Sequence, residues 1–147
     1  MLRLLRRFFE LSGAERRLIL RAVCLVVGVR LGLSLLPSRV LLRQVNRHLG
    51  AAGPKPSIAP LPPDRIAWAV RVASRRVPHA TCLTQALAAQ LLLDHYGYPS
   101  RLHLGVARGK QGEFQAHAWV ESGGLVVVGG QELDRYSQLP DLEKISR

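Results

Sequence analysis

The stretch Pro78–Gly97, PHATCLTQALAAQLLLDHYG, decides the fold because it places a cysteine at the start of an apolar helix. Apolar side chains recur at helical spacing and predict one buried face: Leu83, Ala86, Leu87 and Leu91. If Thr81 is the N-cap, Cys82 takes the first helical position, where free backbone N–H groups and the helix dipole favour a thiolate. We expect this helix to be anchored in a core while its first turn faces a cleft.

Past Gly97 the pattern changes from helical to alternating. Three segments read as strands: Arg101–Val106, Ala116–Glu121 and Leu125–Gly130. Turn residues at Ser122-Gly123-Gly124 predict that the last two strands form an antiparallel hairpin. The predicted fold class is therefore α+β, with the Cys82 helix packed on a small antiparallel sheet and a helical segment preceding it.

Two further helices are predicted at the N-terminal end. Ser12-Gly13-Ala14-Glu15 has the form of a capping box, so one helix should begin near Gly13 and end near Pro37. A second helix is predicted over Ser38–Leu49, where apolar residues again recur at helical spacing before Gly50.

A proline- and glycine-rich segment then divides the chain. Residues 51–63 cannot sustain a helix or a central strand and read as an extended connector. Asp64 offers an N-cap for a helix reaching about Arg76. The sequence thus predicts a basic helical segment over residues 1–50, a connector over 51–63 and the main domain over 64–147.

The charge of the chain is uneven. Its 147 residues carry a formal net charge of +11, and residues 1–50 alone contain ten arginines and two glutamates. Such a basic region favours anionic partners, which include acidic peptides, lipid head groups and nucleic acid. Aromatic residues make up only 5% and are not interleaved with basic ones, so we do not expect a nucleic-acid partner.

Cysteine usage and hydropathy indicate the compartment. Cys24 and Cys82 lie in unlike settings, which argues against a disulfide framework and indicates a reducing compartment, here taken as the cytoplasm. The run Leu18–Leu36 has the length of a membrane span, but Arg21 and Arg30 oppose insertion by about 2.5–3.5 kcal/mol each. We expect a buried or interfacial helix, and no secretory signal.

His117 is the best candidate for a base acting on Cys82. A thiol that cleaves an amide needs a base to remove its proton and an acid to protonate the leaving amine. His117 lies on a predicted strand between two alanines, and the helix-then-sheet order is compatible with the cysteine meeting the sheet edge. The plainer alternative is that both side chains only pack. His79 and His103 could join a metal site, but nothing in their spacing requires one.

The motifs ATCLTQALA and AHAWVE, with the glycine-rich turn and VVVGG after them, resemble the lasso peptide biosynthesis B2 proteins. These are leader peptidases of the transglutaminase-like, papain-like cysteine protease superfamily. The resemblance extends through the arginine-rich N-terminal helix and SGAERRLIL, so it covers essentially the whole chain. It implies that residues 64–147 form the transglutaminase-like domain, with Cys82 as nucleophile, His117 as base and acid, and no cofactor or metal.

The third catalytic residue departs from the family pattern. Many relatives place an aspartate about a dozen positions after the histidine, and Gly129 stands there in this chain. We expect Asp134 to orient the ring, with Gln131 second, or a Cys-His dyad to suffice. Glu121 shares a strand face with His117 but should lie about 13 Å away, which is too far for a hydrogen bond.

The resemblance also implies partners: the leader region of a precursor peptide, a separate small leader-binding B1-type protein, and the ATP-dependent lasso cyclase. The basic N-terminal helices would dock one of these proteins or simply cap the sheet, and we rank peripheral membrane contact below both. Two other functions stay open. One is an acyl-transferring, transglutaminase-like enzyme, and the other is a basic adaptor or membrane-associated module without catalysis.

Overall fold

The computed structural model describes residues 6, 9–51 and 61–140. Its helices are α1 (Gly13–Leu35), α2 (Ser38–Ala51), α3 (Pro63–Ser74) and α4 (Cys82–His95). Its strands are β1 (Ser100–Arg108), β2 (Phe114–Ser122), β3 (Leu125–Val128) and β4 (Ser137–Gln138), and a 3-10 turn at Leu133–Arg135 precedes β4. The described chain is therefore α+β, as the sequence predicts.

Helix α1 begins with the predicted capping box. The Ser12 hydroxyl accepts the backbone N–H of Glu15, and the Glu15 carboxylate accepts that of Ser12. These bonds, together with the nearby guanidinium of Arg65 at 3.0 Å, lower the pKa of Glu15. The Arg65 ion pair also joins α1 to α3, so the start of α1 is held both locally and by a neighbouring helix.

By length and composition alone, α1 could cross a membrane. Its inward side chains are nevertheless buried in the protein: Leu18, Ile19, Ala22, Val26 and Val29. Most of them share one core with α3, α4 and the sheet. Because this core contains Leu18 as well as Leu92, the basic N-terminal segment packs as part of the same folded body as the rest of the described chain.

The region around the connector differs in detail from the prediction. Residues 52–60 of the predicted connector lie outside the described residues. Pro63 begins α3 and Pro62 is its N-cap, so the prediction of Asp64 as N-cap is wrong. Asp64 lies instead in the first turn, because a proline with a fixed φ is well suited to start a helix and needs no N–H acceptor.

The sheet is antiparallel throughout, in the order β3-β2-β1-β4. Ser122 pairs with Leu125 across the Gly123-Gly124 turn, which confirms the predicted hairpin. The third strand ends at Val128, so Gly129 and Gly130 lie past it. The short edge strand β4, which pairs with Gly105 and Val106, was not predicted.

The two faces of the sheet have different roles. Ala118 and Val120 of β2 enter the core shared with the helices. The alternate residues His117 and Trp119 stack with other rings, including His103 of β1. Since side chains alternate across a strand, His117 leaves β2 on the face opposite the helices.

Candidate active site

Cys82 is the first residue of α4, as the sequence predicts. Thr81 is the N-cap, and its hydroxyl accepts the backbone N–H of Thr84 at 3.3 Å. The Thr84 hydroxyl in turn accepts the backbone N–H of Thr81. Thr84 is fully buried, so this capping box fixes the first turn of α4 against the core.

The thiol of Cys82 lies at the edge of β2. Its Sγ is 4.0 Å from the carbonyl oxygen of Ala116, the residue immediately before His117. Strand β3 pairs only with residues 120–122 of β2, so β2 extends past its neighbour here. The start of α4 approaches the sheet beside this extension, and Cys82 is half-buried there.

The His117 ring is held by a backbone carbonyl. Nε2 lies 2.8 Å from the carbonyl oxygen of Gly129. A carbonyl oxygen can only accept a hydrogen bond, so Nε2 carries the proton in this contact. In the neutral ring the lone pair is then on Nδ1, which is free to act as a base.

The thiol and the ring's hydrogen-bond acceptor lie along one edge of β2. Carbonyl groups of residues two apart point to the same side of a strand. Cys82 Sγ contacts the carbonyl of Ala116, and a Cβ built on Gly129 would lie 2.6 Å from the carbonyl of Ala118. Cys82 and Gly129 therefore bracket His117 on that edge. The Cys82 thiol contacts the carbonyl of Ala116, and Nε2 of His117 contacts the carbonyl of Gly129. The two side chains do not hydrogen-bond to each other.

A tyrosine that the sequence reasoning missed covers the ring. Tyr136 stacks on His117 with ring centroids 4.9 Å apart. Space for this ring comes from Gly105, the cross-strand partner of His117, where a Cβ would lie 3.0 Å from Tyr136 and 2.8 Å from Trp119. A conspicuous glycine inside a predicted strand was the available signal, because such a residue often marks a close approach.

The expected orienting residues lie elsewhere. Asp134 is exposed on the 3-10 turn and makes no hydrogen bond to His117, and neither does the exposed Gln131. Glu121 is paired with His103, its Oε2 lying 3.2 Å from Nε2, so it is engaged away from His117. The structure thus places Cys82 Sγ beside the backbone of Ala116, one residue before His117, while the His117 ring leaves the strand on the face opposite the helices and contacts Gly129 and Tyr136. Asp134 stays outside this group, and the carbonyl of Gly129 holds the ring.

Metal ligands do not cluster in the described ranges, where no group of three or more His, Cys, Asp and Glu side chains is arranged to hold an ion. His79 lies on the exposed turn before α4 with a left-handed φ of 58°, and His103 is engaged with Gln138 and Glu121.

One family model matches the chain. Its description is the transglutaminase-like superfamily, and it spans residues 14–141, from the start of α1 to just past β4. No curated protein matches the chain, and no solved structure does.

Proposed function

The chain belongs to the transglutaminase-like superfamily, and from this premise we propose that it is a cysteine peptidase with Cys82 as nucleophile and His117 as general base and acid. The proposal rests on two contacts at the edge of β2. Cys82 Sγ lies by the carbonyl of Ala116, immediately before His117, and the carbonyl of Gly129 holds the His117 ring. The superfamily includes both cysteine peptidases and acyltransferases. Both kinds of enzyme begin by forming a thioester on the cysteine, so this first half-reaction is common to both.

The proposed reaction starts with transfer of the thiol proton to Nδ1 of His117. The sulfur then attacks the substrate carbonyl carbon, and the C–N bond breaks as the amine takes the proton from the ring. A thioester joins one peptide fragment to Cys82. Water, deprotonated by the same nitrogen, adds to the thioester and releases a carboxylate and the thiol. The Nε2–Gly129 bond keeps the other ring nitrogen protonated throughout, which leaves Nδ1 as the working atom.

The first turn of α4 supplies donors for the oxyanion. The first N–H groups of a helix have no acceptor within it. Thr81 accepts the N–H of Thr84, and the carbonyl of Thr81 accepts that of Gln85. The N–H groups of Cys82 and Leu83 are then the ones available to the negative oxygen that forms beside Sγ, where the helix dipole adds a favourable field.

The substrate we propose is a ribosomally made precursor peptide whose leader is cut off, so that a separate lasso cyclase can use the new amino terminus. This finer assignment is supported by the likeness of ATCLTQALA and AHAWVE to the lasso leader peptidases. A separate small leader-binding protein would deliver the precursor.

The test combines the purified chain with a lasso precursor peptide and a small B1-type leader-binding protein, followed by mass spectrometry of the products. We expect leader and core fragments whose masses sum to that of the precursor plus one water. Cys82→Ala should abolish cleavage, and His117→Ala should slow it by about 10²–10⁴-fold. Cys24→Ala is the matched control, because Cys24 is an exposed free cysteine on α1 away from the site. Cleavage that survives Cys82→Ala would reject the proposal.

An added primary amine separates hydrolysis from acyl transfer, because either acceptor can resolve the same thioester. A leader fragment that carries the amine in place of a free carboxylate would identify a transglutaminase-like enzyme. A chain that yields neither product, and whose Cys82 reacts with iodoacetamide at the same rate after His117→Ala, would fit the non-catalytic adaptor.

A further inference from the structure

The outward face of α1 is largely apolar from Leu20 to Leu35, although Arg17, Arg21 and Ser34 are also exposed on this helix. The exposed apolar and small residues recur every three or four positions and form one line, here called the apolar stripe: Leu20, Cys24, Val27, Gly28, Leu31 and Leu35. Leu20, Leu31 and Leu35 are 55%, 54% and 78% exposed. Fifteen helical steps of about 1.5 Å make the stripe roughly 22 Å long, so these exposed residues are aligned along the helix and not singly scattered.

A row of cations lies on the adjoining helix. Arg39, Arg43 and Arg47 recur every four residues on α2 and are all exposed, so they form an arginine row along one side. Helix α2 is packed on α1, since Leu41 lies against Gly32 and Val45 shares a small core with Val29. Neither surface contains an acidic residue: α2 has none, and the single acid of α1, Glu15, is engaged by Arg65.

The stripe also continues into a groove. A groove of about 400 Å³ opens between α1 and the C-terminal end of α4, with Leu20, Leu25, Leu91 and Leu92 among its lining residues. Arg21, His48 and Asp94 also line it. The apolar surface therefore extends beyond the helix, with both basic and acidic side chains beside it.

We propose that α1 and α2 dock the protein on an anionic lipid bilayer, with the apolar stripe in the interface and the arginine row against the head groups. Exposed leucines along α1, with exposed arginines on that helix (Arg17 and Arg21) and on α2, fit interfacial binding to an anionic membrane. The helix lies on the membrane and does not cross it, because Leu18, Ala22 and Val26 stay in the core.

The proposal does not depend on the peptidase activity. Cys82 lies at the N-terminal end of α4, whereas the groove lies at the opposite end of that helix. Cys82→Ala is therefore expected to bind vesicles as the natural chain does.

The experiment is flotation of the full chain with vesicles of phosphatidylcholine alone, or of phosphatidylcholine with about one third phosphatidylglycerol. We expect binding to the anionic vesicles only. The triple variant Arg39→Gln/Arg43→Gln/Arg47→Gln should bind roughly a hundredfold more weakly, from the attraction expected per basic residue near such a surface. The double variant Leu31→Ser/Leu35→Ser should bind at least about tenfold more weakly.

Two control variants remove the same kinds of side chain, three arginines or two large apolar residues, from other parts of the surface. Arg71→Gln/Arg75→Gln/Arg76→Gln removes three exposed charges around the end of α3. Phe114→Ser/Leu125→Ser removes two apolar side chains that are 75% and 73% exposed on the sheet. Both should bind nearly as the natural chain does, and circular dichroism should show the native fold for all four.

Three outcomes would overturn the proposal. The first is no binding to anionic vesicles. The second is an equal loss in the control variants, which would reduce the effect to overall charge or hydrophobicity. The third is a dimer, or a complex with an acidic protein, that Leu31→Ser/Leu35→Ser dissociates while vesicle binding is absent, which would assign the stripe to a protein interface.

Discussion

At the scale of single residues, Gly129 decides how the His117 ring is held. Its φ of 82° is left-handed, and a Cβ there would meet the carbonyl oxygen of Ala118 at 2.6 Å. Only glycine fits this position without strain. The aspartate expected from the family resemblance could not be placed here on the same backbone, so a main-chain carbonyl takes the orienting role at this site.

Gly129→Ala should lower the free energy of unfolding by about 1–3 kcal/mol, the usual cost of a side chain in this backbone region. The alkylation rate of Cys82 by iodoacetamide should fall with it, because the ring loses its fixed orientation. Urea unfolding and timed alkylation measure the two effects. Gly130→Ala is the control, since its φ is ordinary and its nearest neighbour is a Val126 methyl group. Equal damage from both variants would contradict this role for Gly129.

Tyr136 is the second residue that positions the ring. Tyr136→Ala should reduce the proposed peptide cleavage by about ten- to a hundredfold, because a loosely placed base loses much of its advantage. Tyr136→Phe should restore nearly the full rate, since the stacking at 4.9 Å needs the ring and not the hydroxyl. Steady-state rates of the two variants decide this.

Asp134→Asn should leave the rate within about twofold, as is usual for an exposed side chain without a partner. A large loss for Asp134→Asn would restore it as a third catalytic residue.

At the scale of elements, two capping boxes start two helices with different consequences. The Ser12–Glu15 box begins α1 at an exposed end, whereas the Thr81–Thr84 box begins α4 at the candidate site. Both satisfy N–H groups that a helix leaves without acceptors. Only the second one also fixes the backbone that carries Cys82.

Thr81→Ala and Ser12→Ala should therefore cost similar stability but differ in function. Each should lower the free energy of unfolding by about 1 kcal/mol, the usual effect of losing an N-cap side chain. Only Thr81→Ala should slow alkylation of Cys82, because fraying of the first turn of α4 moves the thiol away from the helix N-terminus that favours its thiolate. Denaturant unfolding and alkylation kinetics on both variants test this pairing. Normal Cys82 reactivity in Thr81→Ala would separate the cap from the site.

At the scale of the whole molecule, α1 is a structural part of the main core. Leu18 is fully buried, together with residues of α3, α4 and the sheet, while Leu20 two positions later is 55% exposed. Helix α1 therefore packs into the core on one side and presents the apolar stripe to solvent on the other.

Leu18→Ala should lower the free energy of unfolding by about 2–5 kcal/mol, as expected for a large side chain removed from a core. Leu20→Ala should change it by less than about 0.5 kcal/mol because its side chain is largely in solvent. Circular dichroism and tryptophan fluorescence should report one shared transition, since α1 and the sheet share a core. Separate transitions in Leu18→Ala would show that the N-terminal helices unfold independently.

Much of the fold could be predicted because its signals are local. The serine and glutamate of the first capping box, the threonine before Cys82 and the paired glycines of the hairpin each act over two to four residues, and the structure has all three where they were expected. Asp64 was misassigned for the same local reason, because Pro62 and Pro63 compete with it for the start of α3. The β4 strand escaped prediction because two residues carry no periodic pattern.

The amino-acid sequence alone was enough to determine where α4 begins, that Cys82 is its first residue and that His117 lies on a strand. Tertiary structure alone decided that Gly129 offers its carbonyl to the ring, that Tyr136 covers it and that Asp134 stays outside. The physical reason is that these contacts depend on the path of residues 129–138 after the hairpin, and that path is set by packing against Gly105 and Trp119. No spacing along the sequence encodes that packing.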